Sequence, residues 1–171
     1  SITLIYVDAT KGWLSTAAAK ASDISNPQFV TATGGTITTS GDFKIHTFTG
    51  PGTFCVSNAG NPSGSNTVDY MTIAGGGSGA NGGGGAGGYR SSGFGPSPLR
   101  GTALPVSVQG YPVVVGSGAS GEPNLSTAGP NGNPSSFSTI TSTAGGGGAF
   151  GSTAGGSGGS GGGQAGSSYG C

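Results

Sequence analysis

The sequence predicts an all-β protein: a small antiparallel, β-sandwich-like core carrying glycine-rich tracts in irregular extended or polyglycine II packing, with an elongated outline. Three observations lead there. Between Phe29 and Ile73, short alternating segments are separated by turn residues at roughly eight- to twelve-residue intervals, the spacing of a small antiparallel sandwich. Glycine makes up 41 of the 171 residues, far above the usual proportion of about 7 %. Two glycine tracts each follow directly on a strand-like segment: Thr72-Ile73-Ala74 runs into Gly75, and Thr139-Ile140 runs through Ala144 into Gly145.

The elements follow in order. Residues 1–7 alternate with apolar groups on both faces, which suits a strand covered on both sides. Asp8 to Gly12 is turn chemistry, and Trp13-Leu14 resumes the extended chain, so 1–14 reads as the closing hairpin of a preceding module. Residues 15–28 are Ala- and Ser-rich and read as a linker, with Pro27 biasing Asn26 away from the helical region. Residues 29–171 form the glycine-rich β domain, and the sequence reads as a fragment lacking chain at both ends. Within it, strands are expected at Thr36–Thr39, Phe43–Phe48, Thr53–Val56, Thr67–Ile73, Val106–Val108, Val113–Val115 and Phe137–Thr141. Ser40-Gly41-Asp42 and Gly50-Pro51-Gly52 supply turns, and Ser57 to Asn66 a loop. Pro105 and Pro112 place the strands near them at edges or strand starts. Cys55, inside an apolar strand, is expected to be a buried thiol.

The first tract, AGGGSGANGGGGAGGYR at 74–90, has ten glycines in seventeen positions, and the second, 145–166, has thirteen in twenty-two. Gly/Ser tracts are usually flexible linkers, but two features favour order. Single aromatics, Tyr89, Phe94, Phe150 and Tyr169, interrupt them like anchors. The run from Gly155 to Gly163 keeps a period of three, matching the turn of a polyproline II-type helix. Such a helix has no internal hydrogen bonds. Bonds between segments or between chains would have to offset the ordering entropy, which favours an oligomeric setting. Strict Gly-X-Y repetition is missing, so collagen is excluded. A phosphate loop is excluded too: the chain lacks Gly-Lys-Ser/Thr, and a GxGxxG match within polyglycine carries no information without a βαβ unit.

Charge and chemistry narrow the function. Five basic and five acidic residues give a formal net charge of zero, leaving no electrostatic footprint for nucleic acid or an anionic membrane. There is no apolar run of about twenty residues for membrane insertion, and no signal peptide is visible. His46 is the only histidine and sits in a strand pattern with Lys44 and Phe48, an ordinary surface or half-buried strand histidine without zinc partners. Cys55 and Cys171 make neither a disulfide framework nor a metal site. The carboxylates are scattered, with no suggested catalytic pair, and the serines have no base to activate them. Asn124-Leu125-Ser126 fits a glycosylation sequon. The expectation is a non-enzymatic segment with no cofactor and no metal.

Several strings together point to a family. TGGTITTSGDFKIHTFTGPGTF at 33–54, VDYMTIAGGG at 68–77, GGGAGGYR at 83–90, YPVVVG at 111–116 and PSSFSTI at 134–140 closely resemble the glycine-rich domain of bacteriophage tail fibres and related virion structural proteins. LIYVDATKGW at 4–13 is similar to the closing hairpin of a fibre module. The resemblance covers nearly the whole chain. It implies an elongated, homotrimeric or higher homo-assembled virion appendage, extracellular, with other virion proteins as partners. It also implies attachment to a host surface glycan or outer-membrane receptor. No family motif assigns receptor contacts to numbered positions. Tyr89, Arg90, Phe94 and Arg100 are the candidate contacts, because aromatic and arginine side chains dominate binding hot spots; against this stands a role as structural anchors or solvated charges. The alternatives are a cellular extracellular filament, matrix or adhesin protein, the non-catalytic part of a polysaccharide-degrading tailspike, and, more remotely, an ice-binding protein.

Overall fold

The computed structural model describes residues 4–7, 10, 13–15, 26–121 and 126–166. The structure is all-β. Near the start, β1 (Leu4–Tyr6) pairs antiparallel with β2 (Trp13–Ser15), Tyr6 opposite Trp13, the hairpin the turn residues between them predict. Most of the expected linker, together with Asn124, Leu125, Tyr169 and Cys171, lies outside the described residues.

The main sheet uses β3 (Val30–Thr33), β6 (Gly52–Ala59), β12 (Gly110–Val114), β13 (Ser135–Phe137) and β14 (Ile140–Ser142). Their order is β14-β13-β12-β6-β3, with every neighbour antiparallel. Its inward face carries Ala32, Phe54, Val56 and Tyr111. A short pair, β7 (Thr67–Val68) with β11 (Leu104–Pro105), brings Val68, Leu104 and the buried Val106 against the same core. Phe137 meets Phe54 edge-on at 5.8 Å between ring centres, an arrangement favoured by the aromatic quadrupole. Tyr111 is buried as a residue, and its hydroxyl accepts the Ser107 amide at 2.7 Å. Bonds to Ser107 hold this phenol below its ordinary value.

Several expectations change at this level. Cys55 is exposed: successive strand residues face opposite ways, and Phe54 and Val56 on either side take the core. Strand β6 runs on to Ala59 where a loop was expected, because β3 pairs with it, Val30 opposite Ala59, past an irregularity between Thr31 and Ala32. The run Thr67–Ile73 is two strands. Around Asp69-Tyr70 the Tyr70 amide donates to Ser92 Oγ, and the chain leaves β11 for a different sheet. Val106–Val108 is not a strand; Val106 is held by one bond to the Asn66 carbonyl. Phe137–Thr141 is a hairpin, turned at Ser138-Thr139, with Ser138 at φ 54°. Pro112 lies inside the central strand β12. Its carbonyl accepts the amide of Ser138, beyond the end of β13, so its missing N–H falls where the ladder with β13 has already stopped.

Hairpin β4 (Thr36–Ser40) and β5 (Phe43–Thr47) turns at Gly41-Asp42 as predicted, with Gly41 at φ 56°. It stands apart from the main sheet. His46 secures it, its Nδ1 2.8 Å from the Gly34 carbonyl oxygen and its ring edge-on to Phe54 at 5.0 Å.

The glycine tracts are ordered, and by bonds within the chain. Residues 145–149 are all buried and run through the middle of a bundle of extended segments. The amides of Gly145 and Gly148 donate to Gly75 and Ser78 carbonyls, and those of Gly146 and Ala149 to Ser160 and Gly163. In return, the carbonyls from Thr143 to Ala149 accept amides from Gly82, Gly85 and Gly88, from Gly129 and Gly132, and from Gly156 and Gly159. Every set repeats at intervals of three residues, the turn of a polyglycine II helix. The period-three run 155–163 is not one continuous helix. It bends at 158–160 and returns, so that the Gly162 amide reaches the Gly156 carbonyl. Where no neighbouring segment reaches Gly147 N–H, the Asn131 side-chain oxygen accepts it at 2.7 Å.

Glycine is required here by space. A methyl group on Gly145 would run into the Gly85 carbonyl, on Gly146 into Gly156, on Gly147 into Gly129 and on Gly148 into Gly82. All four obstacles are backbone, which cannot swing aside.

Candidate functional site

The first tract emerges from the bundle into β9 (Tyr89–Ser92), a strand not expected from the sequence. β9 pairs antiparallel with β8 (Met71–Ile73) and parallel with the two-residue β10 (Arg100–Gly101). Parallel pairing across so short a connection makes residues 93–99 a loop that rises from the sheet and returns to the same edge. Its polar groups are tied down locally. Gly93 N–H reaches the Gly101 carbonyl, the amides of Leu99 and Arg100 share the Pro96 carbonyl, and Ser91 Oγ donates to the Phe94 carbonyl at 2.8 Å. Beneath it, buried Ser92 donates to an Asp69 carboxylate oxygen at 2.7 Å and accepts the Tyr70 amide at 3.0 Å. Its hydroxyl is thereby satisfied on both sides.

All four candidate contacts fall on this one unit, but not on one face. Register places Thr72, Arg90 and Gly101 on one side, and Met71, Ile73, Tyr89 and Arg100 on the other. On the second side Met71 and Ile73 are exposed, and on the loop Phe94 is exposed to 77 %. Phe94 therefore does not act as an anchor for the tract. Tyr89 is half-buried, and Phe150, directly after the buried stretch 145–149, is half-buried as well.

Arg90, on the first side, is also half-buried, and its Nη1 donates to the Pro98 carbonyl at 2.8 Å. Here the sheet meets the β13–β14 hairpin, and a shallow open depression of about 360 Å³ lies between them. Arg90, Tyr70, Pro98, Leu99 and Gly101 form one wall, and Thr139, Ile140 and Thr141 the other. Sequence reasoning found Arg90 by residue type. It missed Tyr70 and the hairpin residues, which come from positions far apart in the chain and carry no local signal.

Chemically the site offers one guanidinium, hydroxyl groups and small apolar surfaces. Among the described residues, no group of three or more His, Cys, Asp or Glu converges to hold a metal ion, and no helix is long and apolar enough to cross a membrane. His46 lies in the β4–β5 hairpin, outside the residues that line the depression.

A family model described as a glycine-rich domain matches residues 48–171. The chain belongs to the glycine-rich domain family. The matched region holds β6 to β14, the whole polyglycine bundle and the candidate site. It leaves outside the β4–β5 hairpin and β3, the edge strand that β6 recruits from upstream of the glycine-rich domain. No curated protein and no solved structure matches the chain.

Proposed function

We propose that this glycine-rich domain is a structural segment of a virion appendage, a bacteriophage tail fibre or its equivalent, which attaches the particle to a host surface and performs no catalysis. The observation that carries the reading is the loop 93–99 with β9 and β10. It sets an exposed aromatic and two arginines on a frame made of backbone hydrogen bonds between glycine helices. Such a frame holds a loop in place without charged or flexible side chains, as an extracellular attachment segment needs. The resemblance of the strings at 33–54, 68–77 and 83–90 to tail-fibre domains supports the same reading. In this role the chain assembles as a homotrimer and meets other virion proteins, and the candidate receptor contacts are offered from both sides of the unit, Arg90 on one and Tyr89 and Arg100 on the other, with Phe94 on the loop.

Immunogold electron microscopy with antibody against the chain tests the first half. Gold on the tails of particles released from the source culture is expected; labelling confined to a cell's own filaments or matrix overturns it in favour of a cellular adhesin. Attachment is tested by competition, since purified chain added to cells should lower particle adsorption. Unchanged adsorption at saturating chain removes the receptor role.

A further inference from the structure

The depression beside Arg90 has a composition that selects a ligand. The one charged group among its lining residues is the Arg90 guanidinium, held by an exposed bond to the Pro98 carbonyl and without a carboxylate partner among the described residues. One N–H is used by that bond, and an arginine carries five in a fork that matches a carboxylate. The nearest acid in sequence, Asp69, accepts from Ser92 and is not part of the lining. Tyr70, Thr139 and Thr141 add hydroxyl-bearing side chains to the lining, and Leu99 and Ile140 supply small apolar surfaces. The volume is near the lower end of the range for small-molecule sites, about 300 Å³ and upward, fitting a sugar unit rather than a large ligand.

We propose that this depression binds a carboxylate-bearing sugar residue, with Arg90 on the carboxylate, the Tyr70, Thr139 and Thr141 hydroxyls on the sugar hydroxyls, and Leu99 and Ile140 against its C–H face. This deepens the attachment reading and rests on it for its biological meaning, naming the receptor as an acidic surface polysaccharide. A neutral sugar would leave the guanidinium without a counter-charge. An apolar ligand would leave the three hydroxyls unpaired, and sites built to hydrogen-bond discriminate strongly against such ligands.

The test is calorimetric titration of the full chain with a galacturonic acid trimer, alongside maltotriose, a sulfated disaccharide and inorganic phosphate. Binding of the galacturonate trimer at least tenfold tighter than any of the other three is expected, with Arg90→Gln at least tenfold weaker and Arg90→Lys between them. Thr139→Trp, on the exposed hairpin turn, fills the depression while leaving Arg90 in place. It should abolish binding with the unfolding midpoint unchanged, and it decides the matter if Arg90→Gln fails to fold. Equal binding of maltotriose, or of sulfate or phosphate, overturns the proposal, as does galacturonate binding that survives Thr139→Trp. A chain that competes for adsorption but ignores galacturonate keeps the attachment role and loses this site; one that binds galacturonate without competing keeps the site and loses the role.

Discussion

Gly147 shows at single-residue scale what holds the bundle together. Its amide is taken by the Asn131 side chain, its carbonyl by Gly156, and the space where a methyl would sit by the Gly129 carbonyl. Replacing it with alanine forces two backbones apart, so Gly147→Ala should destabilise the chain by about 2–3 kcal/mol or more, the scale of overpacking in a tight core. Gly83 lies in the first tract, exposed, with nothing within 4 Å of an added methyl. Gly83→Ala should stay within about 0.5 kcal/mol of the parent, as surface changes do. Urea denaturation of both variants checks the pair, and equal effects would show that the central segment is not packed as described.

At the scale of elements, stability should be uneven. Strand β4 is exposed along its whole length, and β5 at all but His46; a two-stranded hairpin alone is marginal in water. Hydrogen exchange should therefore find the amides of Thr38 and Ile45 among the fast exchangers, with those of Val56 and of Gly145, Gly146 and Gly148 close to the global limit. Fast exchange throughout 145–149 would contradict the bundle. This division explains what the sequence could reveal. Turn chemistry is local, so Gly41-Asp42 and the strands beside it are legible, as is the β1–β2 hairpin. Cys55 needed only the alternation of its own strand to be placed outside. Partner choice is not local. Nothing in Thr67–Ile73 announces that the chain changes sheets at Tyr70, since the cause is a serine on β9. Likewise Arg90 and Phe94 stand out by residue type, whereas the depression needs Thr139 to Thr141, brought there by the sheet. The period of three in 155–163 revealed the helix type and hid the bend.

At the scale of the whole molecule, charge has almost no part in the stability of the described residues. The described residues carry five charged side chains, Asp42, Lys44, Asp69, Arg90 and Arg100. A surface ion pair contributes only about 0–1 kcal/mol and is screened by salt. Raising sodium chloride from roughly 0.05 to 0.5 M should thus move the thermal midpoint by less than about 2 °C, within what 1 kcal/mol would shift a chain of this size. A larger drop, followed by circular dichroism, would reveal an electrostatic contribution that the described geometry lacks. The tracts find their hydrogen-bond partners within one chain, so their order does not depend on the trimer expected from the sequence. The crowding at 145–148 also has a genetic consequence. Glycine codons share their first two bases, and the third can change freely, so this stretch absorbs silent change without harm. Any substitution at the first or second base installs a side chain, or a stop, where there is only backbone. Variation that alters residues is thereby steered away from the bundle and toward exposed segments such as 93–99, so a lineage of such chains would diversify at the loop while its frame stays fixed.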